Sequence, residues 1–162
     1  MPRLKHLTDS ELEGLLARGA LKIHVGPYNY QVTSNVPVIR QGLRTLYADF
    51  ELAADNAFVD FDIALTQKGI RQRLRKRAEF LFDYHSPFDS IPITQAYAFL
   101  EWGMNWCISI HQNEYLKLHA AVVAKEQTGV IMPGVPGAGK STLCAALGLS
   151  GWRILSDEHA LI

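Results

Sequence analysis

The sequence predicts an α/β protein in two parts. Residues 1–112 form a small α+β unit of the ββαββα kind with an extra N-terminal helix. Residues 113–162 follow as strand, strand, glycine-rich loop, helix and strand. Three observations lead there. Apolar residues recur with period 2 in some stretches of the first part and at helical spacing in others. In the second part, Gly134 to Ser141 fits G-x-x-x-x-G-K-[ST] without a mismatch, between a short apolar run and a good helix former. The chain has 162 residues, 48% of them apolar, which is ample for a packed core.

Thr8 and Glu11 have the spacing of a capping box, and Leu12, Leu15 and Leu16 form an apolar stripe that stops at Gly19. ALKIHVGPYNYQVTS then alternates apolar and polar residues on both sides of Gly26-Pro27, as two strands around a turn should. The next helix takes Ser34 or Asn35 as its cap and Pro37 in its first turn, with Ile39, Leu43, Leu46 and Tyr47 along one side. FVDFDIAL and RAEFLFDY read as two further strands. RQRLRKR, with Arg71, Arg73, Arg75, Lys76 and Arg77 basic, reads as the solvated edge leading into the second of them; docking of an acidic partner or nucleic acid is the other reading. IPITQAYAFLEWGMNWCISI is helical, with Leu100, Met104 and Ile108 in register. Gln95, Glu101 and Asn105 interrupt its apolar run and favour a buried helix over a membrane span.

Lys plus Arg and Asp plus Glu both number 16, so no net field favours nucleic acid or an anionic membrane. Cys107 and Cys144 lie far apart inside helices and read as packing thiols of a reducing compartment. The N-terminus lacks the apolar core and cleavage site of a signal peptide, so a cytoplasmic location is expected.

The glycine-rich loop carries the chemistry. Its glycines let backbone N–H groups turn inward around phosphate oxygens, and the following helix adds the positive end of its dipole. Gly134, Val135, Pro136, Gly137, Ala138, Gly139, Lys140, Ser141 and Thr142 are the expected nucleotide cradle. Lys140 would reach the β- and γ-phosphates, and the Ser141 hydroxyl would join the shell of Mg²⁺. LKLHAAVVA and GVIMP are expected to pair as a hairpin with Ala124 opposite Gly129, which sets His119 opposite Gly134 at the mouth of the loop. The strand after the helix ends in Ser156-Asp157-Glu158. Lying parallel beside the loop strand, it would point this acidic pair into the same crevice, Asp157 for the metal and one carboxylate for the proton of an attacking hydroxyl. Both acids can serve only if the chain bends there.

The run from Leu118 to Ile162, with the upstream EWGMNWC, resembles the nucleotide-binding core of the HPr kinase/phosphorylase group, most closely the HprK-related kinase A family. The resemblance implies the fold shared with phosphoenolpyruvate carboxykinases and ATP- and Mg²⁺-dependent phosphorylation of a serine-type hydroxyl on a protein or peptide. It also implies catalytic roles for His119, Lys140, Asp157 and Glu158. HPr kinases are hexamers, so it admits a homo-oligomer. Glu158 stands where HPr kinases have a second aspartate, one methylene shorter. HPr kinases continue through further strands and a loop that binds the acceptor, so the resemblance implies a kinase core cut short at its C-terminus. A nucleotide-binding regulatory or interaction module without catalysis is the alternative.

Overall fold

The computed structural model describes residues 2–162. Helices and strands mingle in mixed sheets, as expected of an α/β chain. The chain divides into two compact units, Met1–Met104 and Asn105–Ile162, and the division falls inside the last helix of the first part rather than just past it.

After a 3-10 turn at Leu4–His6 the first unit forms α1 (Asp9–Ala17), capped by the expected reciprocal pair. Thr8 Oγ1 accepts from the Glu11 amide, and the Glu11 carboxylate accepts from the Thr8 amide at 2.7 Å. The Thr8 amide and the Thr8 hydroxyl, each donating to it at 2.7 Å, hold the Glu11 carboxyl below its ordinary range. β1 (Leu21–Val25) and β2 (Tyr28–Ser34) form the hairpin around Gly26-Pro27. α2 (Pro37–Leu46) begins one residue later than expected. Its N-cap is Val36, because the Ser34 hydroxyl is already donating to the Leu65 carbonyl at 2.7 Å and accepting from the Val36 amide. Ile39, Leu43 and Tyr47 are buried, but Leu46 faces solvent.

β3 (Phe61–Thr66) runs parallel to β2, and β4 (Arg77–Phe82) antiparallel to β3. Between them the basic run is not a strand edge: it carries the short helix α3 (Gly69–Leu74), opened by Gly69 at φ 66° and closed by Lys76 at φ 49°. Ile91–Pro92 pairs with β4 as β5, and one 3-10 turn precedes α4 (Ala96–His111). The last helix therefore starts later than its apolar pattern suggests: Ile91 and Pro92 are taken up in pairing with β4, and a residue before proline is held out of the helical region. No described helix is long and apolar enough to cross a membrane.

Sheet order β1-β2-β3-β4-β5 presents Ile23, Tyr30, Val32, Ile63, Leu65 and Phe80 on one face, all buried. Two glycines let side chains approach the helices of this unit. A Cβ on Gly42 would sit inside the Tyr97 ring, and one on Gly103 would strike Phe80. Glu101 binds α2 to α4, accepting from Tyr47 at 3.0 Å and from Tyr97 at 2.6 Å. Burial and the Glu101 charge push both phenols well above their ordinary range, so they stay neutral donors. Gly42→Ala is therefore expected to lower urea-unfolding stability by about 1–3 kcal/mol through overpacking. An unchanged denaturation midpoint would refute this account of the α2–α4 contact.

Candidate functional site at the end of the second sheet

The second unit is organised by one long strand, β6 (Lys117–Lys125). On one side it pairs with β7 (Thr128–Pro133) in the expected register, Ala124 opposite Gly129 and Ala120 opposite Pro133. The next rung along that ladder sets His119 abreast of Gly134. A connection of only two residues, Glu126 and Gln127, leaves the hairpin little freedom to slip.

On its other side β6 pairs with β8 (Arg153–Ser156) and then with β9 (His159–Leu161), both antiparallel. This corrects the expected placement: the strand after the glycine-loop helix does not lie beside β7, because β6 stands between them. β7 is thereby an edge strand. Although its sequence is apolar, Val130 and Ile131 are 36% and 43% exposed. Because β7 and β8 are each antiparallel to β6, they still point the same way. The loop after one and the acids after the other leave the sheet at a common end, two strand spacings or roughly 10 Å apart.

After β7 the chain passes through Gly134–Gly139 into α5 (Lys140–Leu149). Gly137 (φ 82°) and the N-cap Gly139 (φ 85°) are left-handed, a conformation that a side chain makes costly. The Ala138 amide donates to the Val135 carbonyl at 3.1 Å, closing the turn. No side chain caps α5, so the amides of its first turn have no capping acceptor. The Lys140 ammonium folds back over the loop and donates to the carbonyls of Gly134 (2.8 Å) and Val135 (3.3 Å). Val135, Pro136, Ala138, Ser141 and Thr142 are exposed, whereas Gly134 is half-buried. On the helix, Leu147 packs against Ala121, Val123 and Cys144, but Leu143 and Leu149 stay exposed, short of the apolar cover their sequence suggests.

The bend that the acidic pair requires is present. Asp157 and Glu158 break the strand between β8 and β9, and Ser156 Oγ fastens the bend by accepting from the amides of Glu158 (3.3 Å) and His159 (3.0 Å). β8 carries one extra residue where its register shifts opposite Val122 and Val123. Downstream of that bulge one register joins Val122 with Ser156 and His119 with His159, so Asp157 and Glu158 come abreast of Ala121 and Ala120.

Side-chain direction follows. His119, Ala121 and Val123 alternate onto one face, and Ala121 and Val123 pack on Cys144 of α5, so the histidine belongs to the face that carries the helix. Asp157, abreast of Ala121, lies near enough to Cys144 for its charge to act: burial first, and the Asp157 charge second, hold that thiol above its ordinary range. His119 Nδ1 donates to the Glu158 carbonyl at 3.2 Å and lies 3.6 Å from its Oε2. A carbonyl only accepts, so Nδ1 carries the proton, and in the neutral ring Nε2 is free to accept one. Asp157 makes no hydrogen bond among the described residues.

Sequence reasoning overlooked β9 and its histidine. His159 Nε2 lies 3.0 Å from Ser109 Oγ, whose own proton goes to the Asn105 carbonyl, so Nε2–H is the donor. Its Nδ1 is buried without a hydrogen-bond partner. Burial lowers the His159 pKa, helped by the His119 and Lys117 charges and opposed chiefly by Glu158. The signal lay in Ser156, whose hydroxyl turns the chain so that a strand resumes after the acids. Cys107 and Cys144 are both buried and are not joined in a disulfide.

A histidine held neutral by the fold contributes stability that is complete above its unfolded pKa and is lost as pH falls through that value toward the folded one. The Cε1 proton of His159 should titrate in an NMR experiment with a midpoint below about 6.5. A midpoint at or above that value would show that its burial is not felt. No family model matches the chain, and neither a curated protein nor a solved structure matches it.

Proposed function

We propose that the chain is a P-loop kinase core of HPr kinase type, which binds ATP with Mg²⁺ and transfers the γ-phosphoryl group to a serine-type hydroxyl of a protein or peptide. The observation that carries this reading is the common sheet end reached by the loop Gly134–Ser141, the His119 imidazole and the bend at Asp157-Glu158. The amides of the first turn of α5, lacking a side-chain cap, would receive phosphate oxygens. The Lys140 ammonium is held by two neutral carbonyls, a weak hold that an anionic phosphate would outcompete.

The donor set suits the Mg²⁺ of a nucleotide, which needs only one or two protein groups besides phosphate and water. The exposed Ser141 hydroxyl and the unbonded Asp157 carboxylate would hold it, and when bound it would neutralise charge gathering on the transferred group. Glu158, oriented by its contact with His119, would accept the proton of the attacking hydroxyl.

A second reading, nucleotide binding without turnover, is favoured by one specific observation. His119, Asp157, Glu158 and most of the loop are exposed, so nothing in this unit excludes water from the crevice. Two variants of the same chain separate the readings. Lys140→Ala should weaken ATP·Mg²⁺ binding in isothermal titration by about tenfold or more. Asp157→Asn should leave a binding isotherm but reduce phosphate transfer to a serine peptide by about a hundredfold. Transfer absent from the unaltered chain leaves the binding reading standing, whereas transfer that survives Asp157→Asn refutes the role given to that carboxylate.

A further inference from the structure

The connection between β3 and β4 is longer than an antiparallel pair needs. Such strands close through two to five residues, whereas here Gln67 to Lys76 intervene and build α3. The helix has no buried residue, and its polarity is reversed from that of a packed helix. Gln72 is half-buried, its side-chain carbonyl accepting from the Lys68 amide, while Gln67 donates to the Arg77 carbonyl at 3.0 Å and straps the base of the projection. Ile70 and Leu74, one turn apart, face water at 77% and 79% exposure.

The charges carried by this segment are all of one sign. From Ile63 to Ala78 the sequence contains no acid, although the whole chain is neutral. Lys68, Arg71, Arg73, Arg75 and Lys76 are exposed, and among the described residues only Lys68 of these forms an ion pair, with Glu79 at 3.6 Å. Arg77 turns inward instead, donating to Ser90.

We propose that this projection docks an acidic protein segment that carries aliphatic side chains. The unpaired cations call for a polyanion, and the two exposed aliphatic groups select the kind. Single-stranded nucleic acid is gripped by aromatic stacking platforms, and α3 has none. A membrane surface is held by a longer amphipathic helix with several apolar anchors, and α3 is six residues with two. An acidic helix with a leucine stripe satisfies both features, its carboxylates pairing with the arginines while its leucines cover Ile70 and Leu74.

The probe is a labelled synthetic peptide of about 20 residues, long enough to hold a helix, with Glu on one face and Leu on the other. Fluorescence anisotropy with the full chain should give micromolar binding that weakens as salt rises. The same peptide with Leu replaced by Ser should bind about tenfold more weakly, as should the original peptide to Ile70→Ser/Leu74→Ser or to Arg71→Glu/Arg73→Glu. These positions are exposed, so the thermal melt should not move. No binding by the unaltered chain, or binding indifferent to both double variants, overturns the proposal. So does tighter binding of oligodeoxythymidylate or of phosphatidylserine vesicles, which would assign the projection to nucleic acid or to a lipid surface.

Discussion

The arrangement of the candidate site rests on the pairing of a single strand. β6 is bonded along both edges, by β7 on one and by β8 and β9 on the other, so everything attached to those three strands is indexed to it. Its ladder with β7 decides which side chain stands at the mouth of the glycine loop, and its ladder with β9 decides where the acidic bend lies. A slip of one residue on either side would turn the paired strand's side chains to the opposite face and separate the histidine from the acids. Against such a slip stand the two-residue hairpin connection and the contact of Ala121 and Val123 with Cys144. Ala120 and Ala121, on successive positions and hence on opposite faces of the strand, are both fully buried.

What was legible in the sequence, and what was not, divides by the range of the interaction. The α1 cap, the first hairpin and the β6–β7 register are set by residues a few positions apart, and each is found where local chemistry puts it. The position of β8 is different in kind. Its sequence says that a strand follows the helix and nothing about which edge it will join, since either edge would bury similar groups. The N-cap of α2 shifted for a comparable reason: the Ser34 hydroxyl is claimed by Leu65, a residue of another strand. α3 was hidden by competing periods. RQRLRKR alternates like a strand, and the helical spacing of Ile70 and Leu74 is the rival signal, the one that the left-handed Gly69 and Lys76 allow the backbone to follow.

The two units differ in what holds them. In the first, Leu, Ile, Phe and Tyr side chains are fully buried, each contributing roughly 1.5–3 kcal/mol. In the second, burial falls largely to alanines and cysteines, whose small side chains contribute little more than the roughly 0.8 kcal/mol of one methylene apiece, while Leu143, Leu149, Ile131 and Leu155 remain exposed. Hydrogen bonding carries a larger share here, and it concentrates on β6. Lys117 illustrates this, its ammonium donating to the carbonyls of Ile108, Ser109 and Gln112 and so tying the end of α4 to the start of the strand. Hydrogen bonds each add little net stability, about 1 kcal/mol, but fix geometry closely.

That balance bears on the proposed nucleotide chemistry. A helix that begins at a left-handed glycine with no side-chain cap is weakest at its first turn, and α5 is such a helix. The same absence leaves its amides without a capping acceptor, so on the proposed reading one feature both weakens the helix start and receives the phosphate. A ligand that binds only the folded state adds stability in proportion to the logarithm of its concentration over its dissociation constant. On the proposed reading, a phosphate at the loop would replace the missing cap and draw the Lys140 ammonium off the Gly134 and Val135 carbonyls. The stability gained on binding would then appear first in α5 and the loop rather than in the first unit, whose core is complete without it.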